Sequence, residues 1–248
     1  VPDTLDNPDF SKAMDCGVKG ALYYTCQERM RRKVTNLVAG LNLAPGSRIV
    51  DAGCGSGILA VMALGGIVDR PSEMLLIEMV MDSVVKAEAA VRQAVHTERR
   101  NEKMFLSLVH GTVPEDIPPT WHGRANLVIC AQVAMYIPKE KKPAFITGLA
   151  KLVAPGGTLI MPTIHPDFAA KMYKPVDGKP GSVWVGSGKG KDDHEEHYVP
   201  GQDYVNMLHA EGLASENHQL PCTPEMAQEP YCKTGDILWD ILYSRRSA

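Results

Sequence analysis

The sequence has no apolar run of membrane-spanning length, so no transmembrane helix is expected. It has no excess of positive charge: 26 Lys and Arg stand against 29 Asp and Glu, for a net charge of −3. That leaves no global basic field to hold a nucleic-acid backbone. The one local exception is "ERMRRK", Glu28 to Lys33, which reads as a solvated helix face. Six cysteines, Cys16, Cys26, Cys54, Cys130, Cys222 and Cys232, form no C-x-x-C pair and stand at no zinc spacing with histidine. In a chain with a large core they read as reduced thiols. With no signal peptide at the start as given, the expected compartment is the cytoplasm. Internal repeats and low-complexity tracts are missing too. What is there is 248 residues, 44% of them hydrophobic, enough for one full-sized α/β domain over 1–248.

The apolar residues are arranged so that strand and helix alternate. Residues 1–20 are polar and irregular, an N-terminal arm. Val34, Leu37, Val38 and Leu41 are spaced for one face of a helix beginning near Tyr23. "RIVDAG" reads as a buried strand and "SGILAVMAL" as a helix stopped by Gly65-Gly66. "EMLLIEM" is a strand, and Asp82 can cap the helix that follows, to about Thr97. "KMFLSLVHG" and "ANLVICAQ" are strands. Pro138 suits the first turn of a helix to about Val153, and "APGG" turns the chain into the strand "TLIMPT". "QDYVNMLHAEGL" is a helix closed by Gly212, and "DILWDILYS" is a strand. Strands that are nearly all apolar have both faces covered. The expected fold is therefore α/β: a doubly wound, mainly parallel seven-stranded Rossmann-like sheet with helices on both faces. In such sheets the ligand lies beyond the carboxyl ends of the strands, at the switch point.

The loop after the first strand narrows the choice of ligand. In "RIVDAGCGSGILAVMAL" the dinucleotide fingerprint G-x-G-x-x-G fails, because Ile58 stands where its third glycine belongs. The pattern is D-x-G-x-G-x-G, with Asp51, Gly53, Gly55 and Gly57. It resembles the first motif of the class I S-adenosylmethionine-dependent methyltransferases. Three further features match in order: Glu78 ending the second strand, "HGTVPEDIP" after the third, and "LAKLVAPGGTLIM" leading into the fifth. The resemblance spans roughly Tyr23 to Ile164, and more weakly the last helix and strand.

The resemblance implies S-adenosylmethionine as cofactor and S-adenosylhomocysteine as product. It assigns Asp51, Gly53, Cys54, Gly55 and Gly57 to the methionine moiety, and Glu78 with Met79 to the ribose. It assigns Thr112 and Val113 to adenine, and Ala131 and Gln132 to the methionine side past the fourth strand. Glycines let the backbone approach a ligand, and helix N–H groups suit its carboxylate. Two departures stand out: Thr112 and Asn126 occupy positions where the family often has aspartate.

The acceptor is narrowed by what is missing after the fourth strand. "AQVAMYIP" has no Asn-Pro-Pro-aromatic run, no paired glutamates and no magnesium-holding aspartates. The expectation is a metal-independent enzyme acting on a small-molecule acceptor by direct displacement at O, N or C. Protein or RNA methylation, or a non-catalytic regulatory subunit, are the alternatives. His165, just past the fifth strand, is the candidate base, with His197 and Tyr136 as further catalytic candidates. The run "DDHEEHYV" around His197 reads either as an acid/base or metal pair or as a solvated charge run. Tyr23, Tyr24, Tyr136, His165 and Trp184 are the expected acceptor contacts. Residues 1–42 are expected to form the arm and a lid helix. The long stretch 166–200 is expected to be an acceptor-site insert containing an antiparallel hairpin.

Overall fold

The computed structural model describes residues 18–66, 72–97, 104–185, 194–227 and 231–248, with the side chains of 18–24 and 97 left out. Each expected strand is present: β1 (Arg48–Ala52), β2 (Glu73–Glu78), β3 (Phe105–His110), β4 (Ala125–Ile129) and β5 (Val153–Ile164). The helices α1 (Val18–Gly40), α2 (Ile58–Gly66), α3 (Met81–Thr97) and α4 (Lys142–Leu152) lie between or before them. Pro143, not Pro138, takes the first turn of α4; Pro138 precedes a short 3-10 turn, Lys139–Lys141.

Beyond β5 the chain is more ordered than its composition suggests. A short helix α5 (Pro166–Met172) leads into β6 (Lys174–Pro175), β7 (Ser182–Val185) and β8 (His194–His197). These three strands form a small antiparallel sheet, with Ser182 opposite His197 and Val185 opposite His194. The expected hairpin is thus present, its second strand being "HEEH" rather than "HYV"; its tip, 186–193, lies outside the described residues. Helix α6 (Gly201–Ala210) then precedes β9 (Leu213–Pro221) and β10 (Ile237–Arg246).

The main sheet has the order β3-β2-β1-β4-β5-β10-β9. The first five strands pair in parallel, and β10 runs antiparallel to both neighbours. The sheet is therefore mixed. Consecutive side chains point to opposite faces of a strand. Ile49, Met74, Leu76 and Leu127 accordingly pack under α1, α2 and α3, with Met30, Ala60 and Val91. Val50, Leu75, Val128 and Leu159 pack on the other face, against Phe145 of α4 and Tyr204 of α6. Among the described residues no helix is long and apolar enough to cross a membrane.

The switch point lies between β1 and β4. The chain leaves β1 toward β2 on one side and returns to β4 on the other, so the loops after these two strands part and leave a crevice.

Candidate active site

Strand β1 carries Asp51 on the same face as Ile49, and the aspartate is only 1% exposed. Helix α2 must begin seven residues later, at Ile58, and the turn needs glycine most at two points. Gly53 has φ +75° and Gly57 has φ +83°, in the left-handed region that disfavours a Cβ. A Cβ on Gly53 would lie 2.1 Å from Val133 Cγ2, and one on Gly57 would lie 2.9 Å from Ala87 Cα. The loop is pressed between α3 and the segment after β4. The Gly53 and Cys54 N–H groups both donate to the Ile77 carbonyl, at 2.7 and 3.1 Å.

Glu78, at the end of β2, completes this cradle. Its Oε2 accepts from the Gly55 N–H at 3.0 Å and its Oε1 from the Val80 N–H at 2.9 Å. A carboxylate has about four lone-pair sites, so each oxygen can still accept from one further hydroxyl. After β3, Asp116 Oδ2 accepts from the Thr112 N–H at 2.8 Å, and the Thr112 hydroxyl lies 3.3 Å from the same oxygen. A carboxylate therefore does stand at this loop, four residues after the position where the family pattern places it.

After β4 the backbone is again forced. Gln132 has φ +59°, which is uncommon for a non-glycine residue and typical of functional sites. Its N–H donates to the Pro162 carbonyl at 3.2 Å, and its side-chain oxygen accepts from Gln27 Nε2 of α1 at 3.3 Å. A 3-10 turn, Ala134–Tyr136, then brings Tyr136 to the edge of the crevice.

These loops enclose one cleft. Asp51, Gly53, Cys54, Gly55, Glu78, Met79, Thr112, Val113, Ala131, Gln132 and Tyr136 all line it, joined by Val133, Ile137 and Phe145. Of the residues assigned to the cofactor, Gly57 alone lies behind the lining, where it lets α3 approach. Among the lining residues that escaped the sequence reading are Met30 and Arg31 of α1. The signal was the run "ERMRRK", taken there for a solvated face. Only part of it is one. Arg32 pairs with Glu28 on the surface, but Arg31 reaches the cleft, and Arg29 donates to the Pro221 carbonyl at 2.8 Å, tying α1 to the end of β9.

The acceptor-side expectations fare differently. His165 does not line this cleft. Its Nδ1 accepts from the Asp167 N–H at 3.3 Å and caps α5, and its N–H bonds Leu238 of β10. The ring borders a separate depression with Lys171 and Asp236. The reason is topological: α5 starts at once after β5, so His165 serves as a helix cap.

His197 also lies off the cleft. It shares a face of the small sheet with Ser182 and Glu195, its Nδ1 being 3.0 Å from Ser182 Oγ, and burial holds its pKa below the usual imidazole range. Trp184 is on that same face, 46% exposed, and does not line the cleft. The "DDHEEHYV" run is not a solvated one in its described part. Glu196 is buried and accepts from the Tyr198 hydroxyl and, at 3.1 Å, from His194 Nε2. His194 is the histidine near the cleft: its ring centroid is 5.7 Å from that of Tyr136. The side chains of Tyr23 and Tyr24 lie outside the described residues. Among the described residues no group of three His, Cys, Asp or Glu is placed to hold a metal ion.

Sequence reading also missed Lys142. It is 1% exposed, and its Nζ donates to the Ala134 carbonyl and, at 2.9 Å, to the His197 carbonyl. Burial, together with the nearby Lys139 charge, brings its pKa down to about 7.

No protein-family model matches the sequence, and no curated protein does. Solved structures do match. An S-adenosylmethionine-dependent methyltransferase from Mesorhizobium loti is 16% identical with a TM-score of 0.56, over 85% of this chain and 96% of that one. Magnesium protoporphyrin IX methyltransferase from Synechocystis PCC 6803, with bound S-adenosylhomocysteine, is 15% identical with a TM-score of 0.59, over 90% and 84%. The N-methyltransferase NodS from Bradyrhizobium japonicum WM9, also with S-adenosylhomocysteine, is 14% identical with a TM-score of 0.57, over 88% and 87%. At these identities the likeness speaks to architecture: the chain has the Rossmann-like fold of the S-adenosylmethionine-dependent methyltransferases.

Proposed function

We propose that the chain is a methyltransferase that moves a methyl group from S-adenosylmethionine to a small-molecule acceptor, at O, N or C, by direct displacement and without a metal ion. The observation that carries this reading is the convergence of buried Asp51, the Gly53–Gly57 turn and Glu78 in one cleft at the switch point. One of the structural neighbours named above supports the acceptor class, since it is a magnesium protoporphyrin IX methyltransferase.

The residues present fit the cofactor. Glu78 has acceptor capacity left for two ribose hydroxyls beyond its two backbone bonds. Val113, Ile137 and Phe145 offer an apolar slot for adenine beside Thr112. Asp51 supplies negative charge for the ammonium end, and Arg31, the one cation among the described lining residues, a charge-assisted partner for the carboxylate. When bound, the cofactor supplies an electrophilic methyl on a sulfonium.

The chain's own contribution is positioning. α1, through Gln27, Met30 and Arg31, covers the methionine side and keeps water from it. Tyr136 borders the acceptor side, and His194 of the insert packs against it. A displacement in line with the carbon–sulfur bond gains chiefly from holding the two reactants in alignment. Of the three catalytic candidates, Tyr136 is the one that lines the cleft.

Two measurements test this. Calorimetry should show one molecule of S-adenosylhomocysteine bound per chain; no binding refutes the proposal. Incubation with methyl-labelled S-adenosylmethionine and pools of metabolites, peptides and RNA should place label in the metabolite pool, with turnover unchanged by a chelator. Label in peptide or RNA would transfer the reading to the macromolecular class.

A further inference from the structure

The segment that follows β4 has two sides with different neighbours. One side presents Tyr136 and Ile137 to the cleft. The other side grips the insert. Lys139 Nζ donates to the Pro180 carbonyl at 2.6 Å, just before β7. Lys142 Nζ donates to the His197 carbonyl at 2.9 Å, at the end of β8, and to the Ala134 carbonyl at the start of the turn that bears Tyr136. One amine thus joins the cleft wall to the insert across 55 residues of chain.

An ammonium in this place is energetically unfavourable. Lys142 is 1% exposed, and its polar surroundings are two carbonyls and the Tyr204 ring, whose centroid is 5.6 Å away. Packing alone would favour an apolar side chain of equal volume. The lysine earns its position through its donors. Two carbonyls from separate segments face the same buried point, and each would lose its partner without it. A neutral amine still has two N–H groups, one for each carbonyl, so the linkage persists when the proton leaves.

We propose that Lys142 is a positioning residue that seats the β6–β7–β8 sheet on the rim of the cleft, so that His194 stands against Tyr136 as part of the acceptor wall. This rests on the methyltransferase reading for its word "acceptor"; the seating itself does not. Three contacts define the seat: the Lys142 bridge, the Lys139–Pro180 bond, and the His194–Tyr136 ring pair at 5.7 Å. Behind His194, buried Glu196 holds Nε2 at 3.1 Å and fixes the ring. The titratable groups around the lysine are Lys139 on its own segment, His197 on β8 and Tyr204 on α6.

The test uses the full chain and two variants, Lys142→Met, which fills the volume, and Lys139→Ala, which is exposed and leaves the fold intact even if the first variant does not fold. Hydrogen exchange of residues 182–185 and 194–199 should speed up at least tenfold in Lys142→Met and several-fold in Lys139→Ala, with β1 to β4 unchanged. The His194 imidazole resonances should shift toward those of a solvated histidine, while those of His165 stay in place. Unchanged exchange and unchanged His194 resonances in the variants would overturn the proposal. Calorimetry with S-adenosylhomocysteine on the wild-type chain separates the two readings. If the insert loosens as expected but the wild type binds none, the seat stands and its acceptor role is refuted.

Discussion

Gly53→Ala is the most informative single substitution at the cleft. Two independent penalties act there. The backbone at φ +75° costs an L-residue about 1–2 kcal/mol. The new methyl would also lie 2.1 Å from Val133 Cγ2, and 3.3 and 3.4 Å from Val133 Cβ and Cγ1. Valine is stiff at χ1, and its backbone follows Gln132, whose N–H is held by the Pro162 carbonyl. The loop cannot retreat easily either, because the Gly53 and Cys54 N–H groups share the Ile77 carbonyl. Overpacking of this kind costs about 1–3 kcal/mol. The expected total is about 2–5 kcal/mol, or a fall in melting midpoint of about 5–15 °C for a chain of this size. Val133→Ala removes both γ-carbons and leaves Cβ at 3.3 Å, so in the double variant the backbone penalty and this lesser contact should remain. Urea denaturation of the four proteins in the cycle should give a favourable coupling of about 1–3 kcal/mol. Calorimetry with S-adenosylhomocysteine should show affinity lost in Gly53→Ala and partly regained in the double variant. Strict additivity of the two substitutions would refute the close-contact argument, whatever the single variant does.

Glu78→Ala should weaken S-adenosylhomocysteine binding at least tenfold, about 1.4 kcal/mol, since it removes the ribose acceptor and strands the Gly55 and Val80 N–H groups; equal affinity by calorimetry would remove Glu78 from the site. Lys142 predicts a pH dependence of stability. Its pKa is about 7 when folded against the ordinary lysine value of 10.5, so between these limits the unfolded chain binds more protons and stability rises with pH. At 1.36 kcal/mol per pH unit the full rise is on the order of 4–5 kcal/mol, and urea midpoints from pH 6 to 10 should show it in the wild type but not in Lys142→Met. His165→Ala should cost about 1 kcal/mol by uncapping α5 and leave S-adenosylhomocysteine affinity unchanged; a tenfold loss of affinity would return His165 to the cleft.

The parallel half of the sheet was legible because its strands are continuous apolar runs and its turn carries forced glycines. β9 was not. Its sequence, "LASENHQLP", alternates polar and partly buried positions at the sheet edge, and its amides serve a neighbour: Asn217 and Gln219 donate to buried Asp240 of β10 at 2.6 and 3.3 Å. A pattern that satisfies a partner across the ladder has no signature of its own. The cofactor cleft was legible because its residues follow one another at strand ends. The acceptor side was not, because His165 differs from a cleft residue only by how soon a helix begins after β5. Arg31 and Lys142 lay hidden in what looked like ordinary surface charge, and only the tertiary path of α1 and the insert reveals their use.

The position of β10 has a consequence for synthesis. It is the last strand of the sheet in chain order, yet it lies between β5 and β9 and runs against both. During translation β1 to β5 can pair as they emerge, while one edge of β5 stays open. β9 cannot pair into the sheet until β10 has been made, because among the described residues β10 is its only strand partner. A growing chain that stalls before Ile237 therefore presents an apolar edge, Thr158 to Ile164, to whatever strand is nearest. The nascent protein should depend most on chaperones in that interval, and a ribosome-bound chain ending near residue 235 should be the species that aggregates or captures holdase chaperones.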